Sequence, residues 1–526
     1  MRNHSRAVFW RTGALAITLV GVVQLAWLQH RDALSGRSIS SPVGFAQVWS
    51  AYRVSGNDGQ DWDPQDLHQT LEDSELELLE DVYIDGNASP QLPFLQEEEV
   101  DWCSEAEYLD GEWVPRDEEV TMDNIRSIFK YSDTARFGCM ARDAPREFQP
   151  NFEDPDYYAR ITEVAQYIWK PKSGCRQHKL DSWNLAKYCL RSKGGCSLVG
   201  DSLTDQIWNV YTAVLVNEKD PLFMINPSLE RIYNITVNRY HPDAEALANA
   251  AGVTMDRLDR PVINYWREHH LVNREELDAV FAGSAGYQNW TGADASRENG
   301  WIWPRSWWHA RWKWLLGHDI SLVPRSSDGV TPEEEHSVLS LSTGPHWTDV
   351  EIWPPSSSMD PLEDLRRGYE GVVDIVLQNV TEVAKDNKVL AWWRSNVAAH
   401  PECSQYERPE NDRTSHRSTK NPQSKAFNWD QFPIYNEYAA KLLGYKPSAS
   451  KHGLQENVSA MKYLDLWPLS VTRPDAHLKP QADCLHYCVP SVPNEWVNFL
   501  WHSMVMAAQN DDYDDDSAAA YSVRGR

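Results

Sequence analysis

Cys196-Ser197-Leu198-Val199-Gly200-Asp201-Ser202-Leu203 is a short apolar run that ends on a glycine and hands over to residues with helical spacing. Cys196 to Val199 reads as a strand and Leu203 to Leu215 as a helix, so Ser202 falls at the turn between them. A serine in such a turn is lifted above the sheet, and the unpaired N–H groups at the helix start aim at the same point. A hydroxyl is a poor nucleophile at neutral pH. Acyl transfer through serine therefore needs a histidine to take its proton and a carboxylate to fix the imidazole tautomer. Near the other end of the chain, Asp483-Cys484-Leu485-His486-Tyr487-Cys488 offers both groups. The expected roles are Ser202 as nucleophile, His486 as general base and Asp483 as its orienting carboxylate.

Val338 to Leu341 and Val389 to Trp393 read as further buried strands, and Asp360 to Asp386 as a long amphipathic helix. Tyr435 to Leu443 reads as another helix, with Gly444 a natural stop. Strands alternating with helices predict an α/β fold with a doubly wound, mostly parallel sheet. Arg408 to Ser424 is polar, carries two prolines and reads as a surface loop.

Around this body the composition changes. The 526 residues carry 50 Lys and Arg against 77 Asp and Glu, a net charge of −27 that repels phosphate backbones and argues against nucleic acid as a partner. Much of the excess lies in Asp61 to Asp85, in Glu97-Glu98-Glu99 and in Asp511 to Asp516, like-charge runs of the kind that stay solvated. Thr12 to Leu28 is apolar and uncharged over 17 residues, with Arg2, Arg6 and Arg11 before it. It is expected to be an uncleaved membrane anchor with the rest of the chain in the lumen, a cleaved signal peptide being the competing reading. The expected organisation is a cytosolic tail and anchor over 1–30, an acidic stem over 31–100 with one short helix at Leu71 to Glu80, a catalytic domain over 101–508 and an acidic tail over 509–526. Eight cysteines, an even number, and Asn-x-Ser/Thr acceptors at Asn87, Asn234, Asn289, Asn379 and Asn457 suit a lumenal body.

The stretches flanking Ser202 and His486 carry more than the three reactive residues. Lys179-Leu180-Asp181-Ser182-Trp183 through Gly200-Asp201-Ser202-Leu203 forms one block. A second is Leu464-Asp465-Leu466-Trp467-Pro468-Leu469-Ser470, Arg473-Pro474-Asp475-Ala476-His477 and Asp483 to Pro490, followed by Pro493-Asn494-Glu495-Trp496. In this order they resemble the trichome-birefringence-like proteins, in the PC-esterase branch of the GDSL/SGNH clan. Cys103 with Gly111-Glu112-Trp113-Val114, Trp169-Lys170-Pro171 with Cys175, Ser342 to Trp347, and Trp393-Arg394-Ser395 with His400-Pro401 and Cys403 agree more loosely.

That resemblance implies an SGNH-hydrolase-like fold with disulfide-tied additions and an N-terminal transmembrane helix, in a single-pass type II protein of the Golgi membrane. It implies O-acylation, usually acetylation, of a polysaccharide, through Ser202, His486 and Asp483. The rivals are a polysaccharide O-acetyl esterase and a glycan-binding protein that kept the fold without the chemistry. No bound cofactor and no metal are expected. The acyl group would come from a donor such as acetyl-CoA or an acetylated intermediate. The resemblance also implies the pairs Cys103–Cys175, Cys139–Cys488 and Cys403–Cys484, leaving Cys189 with Cys196. Two departures stand out. Asp205 and Gln206 replace the Arg-Asn of the plant pattern, which is expected to remove a cation from the mouth of the site, and Ser342 and Pro345 alter the Asn-Thr-Gly-His-Trp block.

Candidate substrate-binding residues are Asp201, Arg394, His346, Trp303 and Trp308. The last two belong to a cluster of Trp301, Trp303, Trp307, Trp308, Trp312 and Trp314, interleaved with Arg305, His309, Arg311 and Lys313 in a chain of 25 Trp and 22 Tyr. The cluster reads either as one wall of a glycan groove or as a buried patch. His269, His270 and His318 lack metal-ligand spacing and read as surface or core-edge residues.

Overall fold

The computed structural model describes residues 101–144, 155–227, 232–282, 308–348, 352, 360–410, 427–446 and 460–511. The expected anchor, the stem with its short helix, residues 512–526, most of the 408–424 loop, Trp301, Trp303 and Trp307, and the acceptors Asn87, Asn289 and Asn457 lie outside them. Among the described residues no helix is long and apolar enough to cross a membrane.

The strands are β1 (Gly111–Pro115), β2 (Tyr167–Pro171), β3 (Cys196–Gly200), β4 (Phe223–Pro227), β5 (Ile232–Val237), β6 (Ile263–Arg267), β7 (Ser337–Ser342), β8 (Val389–Arg394), β9 (Met461–Leu464), β10 (His477–Lys479) and β11 (Asp483–Tyr487). Seven of them form one sheet in the order β4-β5-β6-β3-β7-β8-β9. β6, β3, β7, β8 and β9 run parallel, while β4 and β5 add an antiparallel edge. Every residue of β3 and β7 is buried. Successive strand residues face opposite sides of a sheet, so both faces are covered here. This is the mostly parallel α/β sheet expected from the sequence, and with its four disulfides it fits an SGNH-like fold.

Chain order along the parallel strands reverses between β3 and β7, because the chain leaves β3 for β6 on one side and returns to β7 on the other. In open α/β sheets a crevice opens at such a reversal, beyond the carboxyl ends of the strands. Ser202 follows β3 directly at that end and begins the helix Ser202–Leu215, one residue earlier than the apolar spacing predicts. The helix starts there because Asp201 caps it, its Oδ1 accepting the Leu203 N–H at 3.0 Å.

The histidine segment belongs to a separate two-stranded sheet of β10 and β11. Its apolar and cationic neighbours lock it in place. Arg160 donates to the carbonyls of Met140, Asp475 and His477 at 2.6, 2.9 and 2.6 Å, and Arg473 holds both oxygens of Asp475 at 2.9 and 3.0 Å. The Arg473–Asp475 pair is fully buried, so removing either partner would strand a charge at a cost of about 3–5 kcal/mol. All eight cysteines are bridged in the expected pairs: Cys103–Cys175, Cys139–Cys488, Cys189–Cys196 and Cys403–Cys484. The bridges at Cys484 and Cys488 tie the histidine strand to residues 81 and 349 positions away. Closing loops of that length restricts the unfolded chain and stabilises the fold by about 2–4 kcal/mol each.

The turn before Ser202 depends on Gly200, whose φ is +150°. A Cβ there would stand 2.6 Å from the Ser342 carbonyl oxygen on β7 and would collide with Thr204 Oγ1. Gly200→Ala is expected to destabilise the protein by about 1–3 kcal/mol, read as a lower denaturant midpoint at unchanged slope; an unchanged midpoint would show that the turn tolerates a side chain.

Candidate active site

Ser202 Oγ and His486 Nε2 stand 2.7 Å apart, and His486 Nδ1 lies 2.6 Å from Asp483 Oδ2. The second oxygen of Asp483 accepts the backbone N–H groups of Leu485 and His486 at 3.0 and 3.1 Å. The carboxylate is thus fixed by its own strand before it reaches the ring. With Nδ1–H directed at Asp483, Nε2 faces Ser202 as an acceptor. The Ser202 N–H is the first of the helix, a position with no intrahelical acceptor, and a donor of that kind can stabilise negative charge developing on an acyl carbonyl.

The side chains of His486 and Asp483 keep 25 % and 31 % of their surface, enough for a small reactant to reach them. Burial by the surrounding protein disfavours a charged imidazole, but the Asp483 charge and hydrogen bond, followed by Asp201 and Asp205, outweigh it and hold the His486 pKa above 6.5. The same burial opposes the charge on Asp483, yet His486 and the two backbone N–H groups keep its carboxyl well below the usual carboxylate range. Asp483 therefore stays ionised throughout the working range of the histidine.

Other expected contacts are placed differently. Asp201 is buried and caps the helix rather than facing a groove. Burial raises its pKa, opposed by His346, the Leu203 N–H and Arg394. Arg394, 2 % exposed, lies beneath the Ser202 turn and donates to Thr204 Oγ1 at 2.7 Å and to the Val199 carbonyl at 3.3 Å. It supports the turn from inside. Trp308 is fully buried at the head of the helix Trp308–Leu316, its ring N–H bonded to the Leu271 carbonyl at 3.0 Å, and Trp312 one turn on is also fully buried. Both belong to the core, and of this pair neither has a free ring face for a sugar. Trp314, on the same helix, is exposed, while Trp303 lies outside the described residues.

His346 lies close to the site, with its ring stacked on His269 at 3.8 Å. Burial pushes its pKa down to about 4 against the opposing charge of Asp201, so the ring is neutral at physiological pH. Of the surface or core-edge positions expected for His269 and His270, the surface is excluded, since both are buried. His318 is half-buried and bonds the Trp314 carbonyl at 2.8 Å.

The mouth of the site keeps a cation after all. Arg267, the last residue of β6, stands 3.2 Å from Asp205. Sequence reasoning had no signal for this pair, since it joins the first turn of the Ser202 helix to the end of a neighbouring strand. Gln206 was legible only as a departure from a pattern, but it lies four residues after Ser202 and so on the same helix face, and its carboxamide binds the backbone of Tyr487.

Residues 335–503 match the model of the PC-Esterase family, a GDSL/SGNH-like acyl-esterase family found in Pmr5 and Cas1p. That segment runs from β7 to the C-terminal helix and holds Asp483 and His486, while Ser202 precedes it. Fold and match agree in that the matched segment is part of a mostly parallel α/β sheet that fits an SGNH-like fold. No curated protein matches the chain at a significant level.

The neutral imidazole is the form that can accept a proton, and its population grows as pH rises through the folded-state pKa. The rate at which a serine-directed phosphonate labels Ser202 is expected to climb through a midpoint above 6.5 and then level off. In Asp483→Asn the midpoint should move down, because the main group raising it is gone, and the plateau should fall. A midpoint that stays put in the variant would contradict the assigned coupling.

Proposed function

We propose that the protein transfers an acyl group, acetyl in the simplest case, to a hydroxyl of a polysaccharide through an ester on Ser202. Ser202 Oγ attacks the donor carbonyl as His486 Nε2 takes its proton, and the Ser202 N–H stabilises the oxyanion. Collapse of the adduct breaks the bond to the donor's leaving group, which receives that proton from His486. An acceptor hydroxyl then gives its proton to His486 and attacks the ester carbonyl, and Oγ leaves with the proton returned. Asp483 remains ionised throughout and steadies the imidazolium that forms in each half.

The observation that carries this reading is the continuous hydrogen-bonded chain from Asp483 through His486 to Ser202, ending at a strand reversal and a helix start. The PC-Esterase match supports the reaction class. The acyl donor in this reading is acetyl-CoA or an acetylated intermediate, and the setting is the Golgi lumen, with the N-terminal apolar run as anchor. Support for that setting comes from four disulfides, which suit an oxidising compartment. The same residues would serve an esterase if water instead of a sugar reached the ester, so acceptor and water compete for one intermediate.

Incubating the protein with a radiolabelled acyl donor and a panel of polysaccharides should transfer label to at least one of them. Ser202→Ala should lower that transfer by at least about a thousandfold, because nucleophile and base act as a unit. Transfer that persists unchanged in Ser202→Ala would remove the mechanism, and release of free acid with no labelled glycan would assign the esterase.

A further inference from the structure

We propose that Gln206 is a positioning residue whose carboxamide sets the register between the Ser202 helix and the His486 strand, an inference that rests on the Ser202 ester described above. Its Nε2 donates to the carbonyl of Tyr487, and its Oε1 accepts the Tyr487 N–H at 3.1 Å. Tyr487 directly follows His486. One amide therefore makes with Tyr487 the two bonds that a partner strand would make at a hydrogen-bonded position.

The geometry gives these two bonds a particular leverage. In an extended strand the N–H and C=O groups of successive residues point to opposite edges. At His486 the N–H goes to Asp483 Oδ1 and the carbonyl accepts from His477 Nδ1 at 3.1 Å, and β10 pairs with that strand. At Tyr487 both groups face the helix, where Gln206 meets them. The Tyr487 side chain is buried, its hydroxyl donating to the Ala398 carbonyl at 2.6 Å, so it anchors the strand from the opposite side. The strand next to the imidazole is thus held across both edges, and the only side chain of the helix that binds its backbone among the described residues is Gln206. Because Gln206 stands one turn from Ser202, about 6 Å along a rigid helix, the clamp fixes the two reacting side chains relative to each other.

A neutral amide suits the place better than its isosteres. A glutamate would keep the bond from the Tyr487 N–H but would set an anion against the Tyr487 carbonyl. A methionine fills the same space and makes neither bond. Misplacement of a reacting group by an ångström is enough to cost rate by orders of magnitude, while ground-state binding of a small reactant is left alone.

The test uses phosphonate labelling of Ser202 in the intact protein as a function of phosphonate concentration and pH, in wild type, Gln206→Met, Gln206→Glu and Ser202→Ala. Gln206→Met is expected to lower the plateau rate about tenfold or more, with the half-saturating phosphonate concentration and the pH midpoint unchanged. Gln206→Glu should lower the plateau and move the midpoint up, since an added anion near His486 favours the imidazolium. Near-UV circular dichroism and the melting temperature report whether each variant is folded. A folded Gln206→Met with the wild-type plateau overturns the proposal; if that variant does not fold, a folded Gln206→Glu with the wild-type plateau and midpoint overturns it. Absence of labelling in the wild type would instead remove the Ser202 reading itself, and Ser202→Ala separates labelling at Ser202 from labelling elsewhere.

Discussion

A single hydrogen bond of 2.7 Å, from Ser202 Oγ to His486 Nε2, joins side chains 284 positions apart in the sequence. Neither end can adapt much. Ser202 is fixed by the carboxyl end of β3, by a glycine with no room for a side chain and by a helix cap, while His486 is fixed within a small hairpin that is not part of the main sheet. The separation of the two scaffolds makes the bond a constraint on the whole fold. Loss of register of about an ångström between hairpin and helix would break it without disturbing either element.

The surroundings of the hairpin are organised around that constraint. Bridges at Cys484 and Cys488 lie on either side of His486, one reaching Cys403 after β8 and the other Cys139 ahead of β2. Arg160 and Arg473 fill the space behind the strand with buried cations, and Arg473 also lies 4.5 Å above the Trp113 ring. His400 and His477 meet through their ring nitrogens at 2.6 Å, and burial pulls the His477 pKa down to about 3, so His477 is neutral and leaves the titration near neutral pH to His486. A strand held by these contacts needs little further ordering on the way to reaction.

Local signals in the chain carried much of this. The apolar run before Gly200, the runs at 338–341 and 389–393 and the spacing of 360–386 gave strands and a helix that differ from the structure by a residue or two, because buried parallel strands and long amphipathic helices are written in consecutive residues. The disulfide pairs came from resemblance, since eight cysteines do not choose a pairing by spacing. Reading failed where a residue's direction is decided by distant packing. Trp308 and Trp312 stand at i and i+4, the spacing of a buried face, yet an abundance of rings and cations around them pointed toward a sugar groove. Arg394 followed a block typical of a site and turned out to brace the serine turn from below. The Asp205–Arg267 pair and the Gln206 clamp are contacts between neighbours in space alone, and no periodicity in one sequence records them.

The central claim is that Ser202 carries the acyl group. Mixing the full-length protein with an activated acetyl ester, quenching with acid within milliseconds to seconds, and mapping the added acetyl mass by peptide fragmentation tests it directly. The account requires an acetyl group on the peptide that holds Ser202, formed in a burst and decaying as acceptor is added. Turnover with that peptide unmodified at every time, or with the acetyl group on another residue, would contradict it.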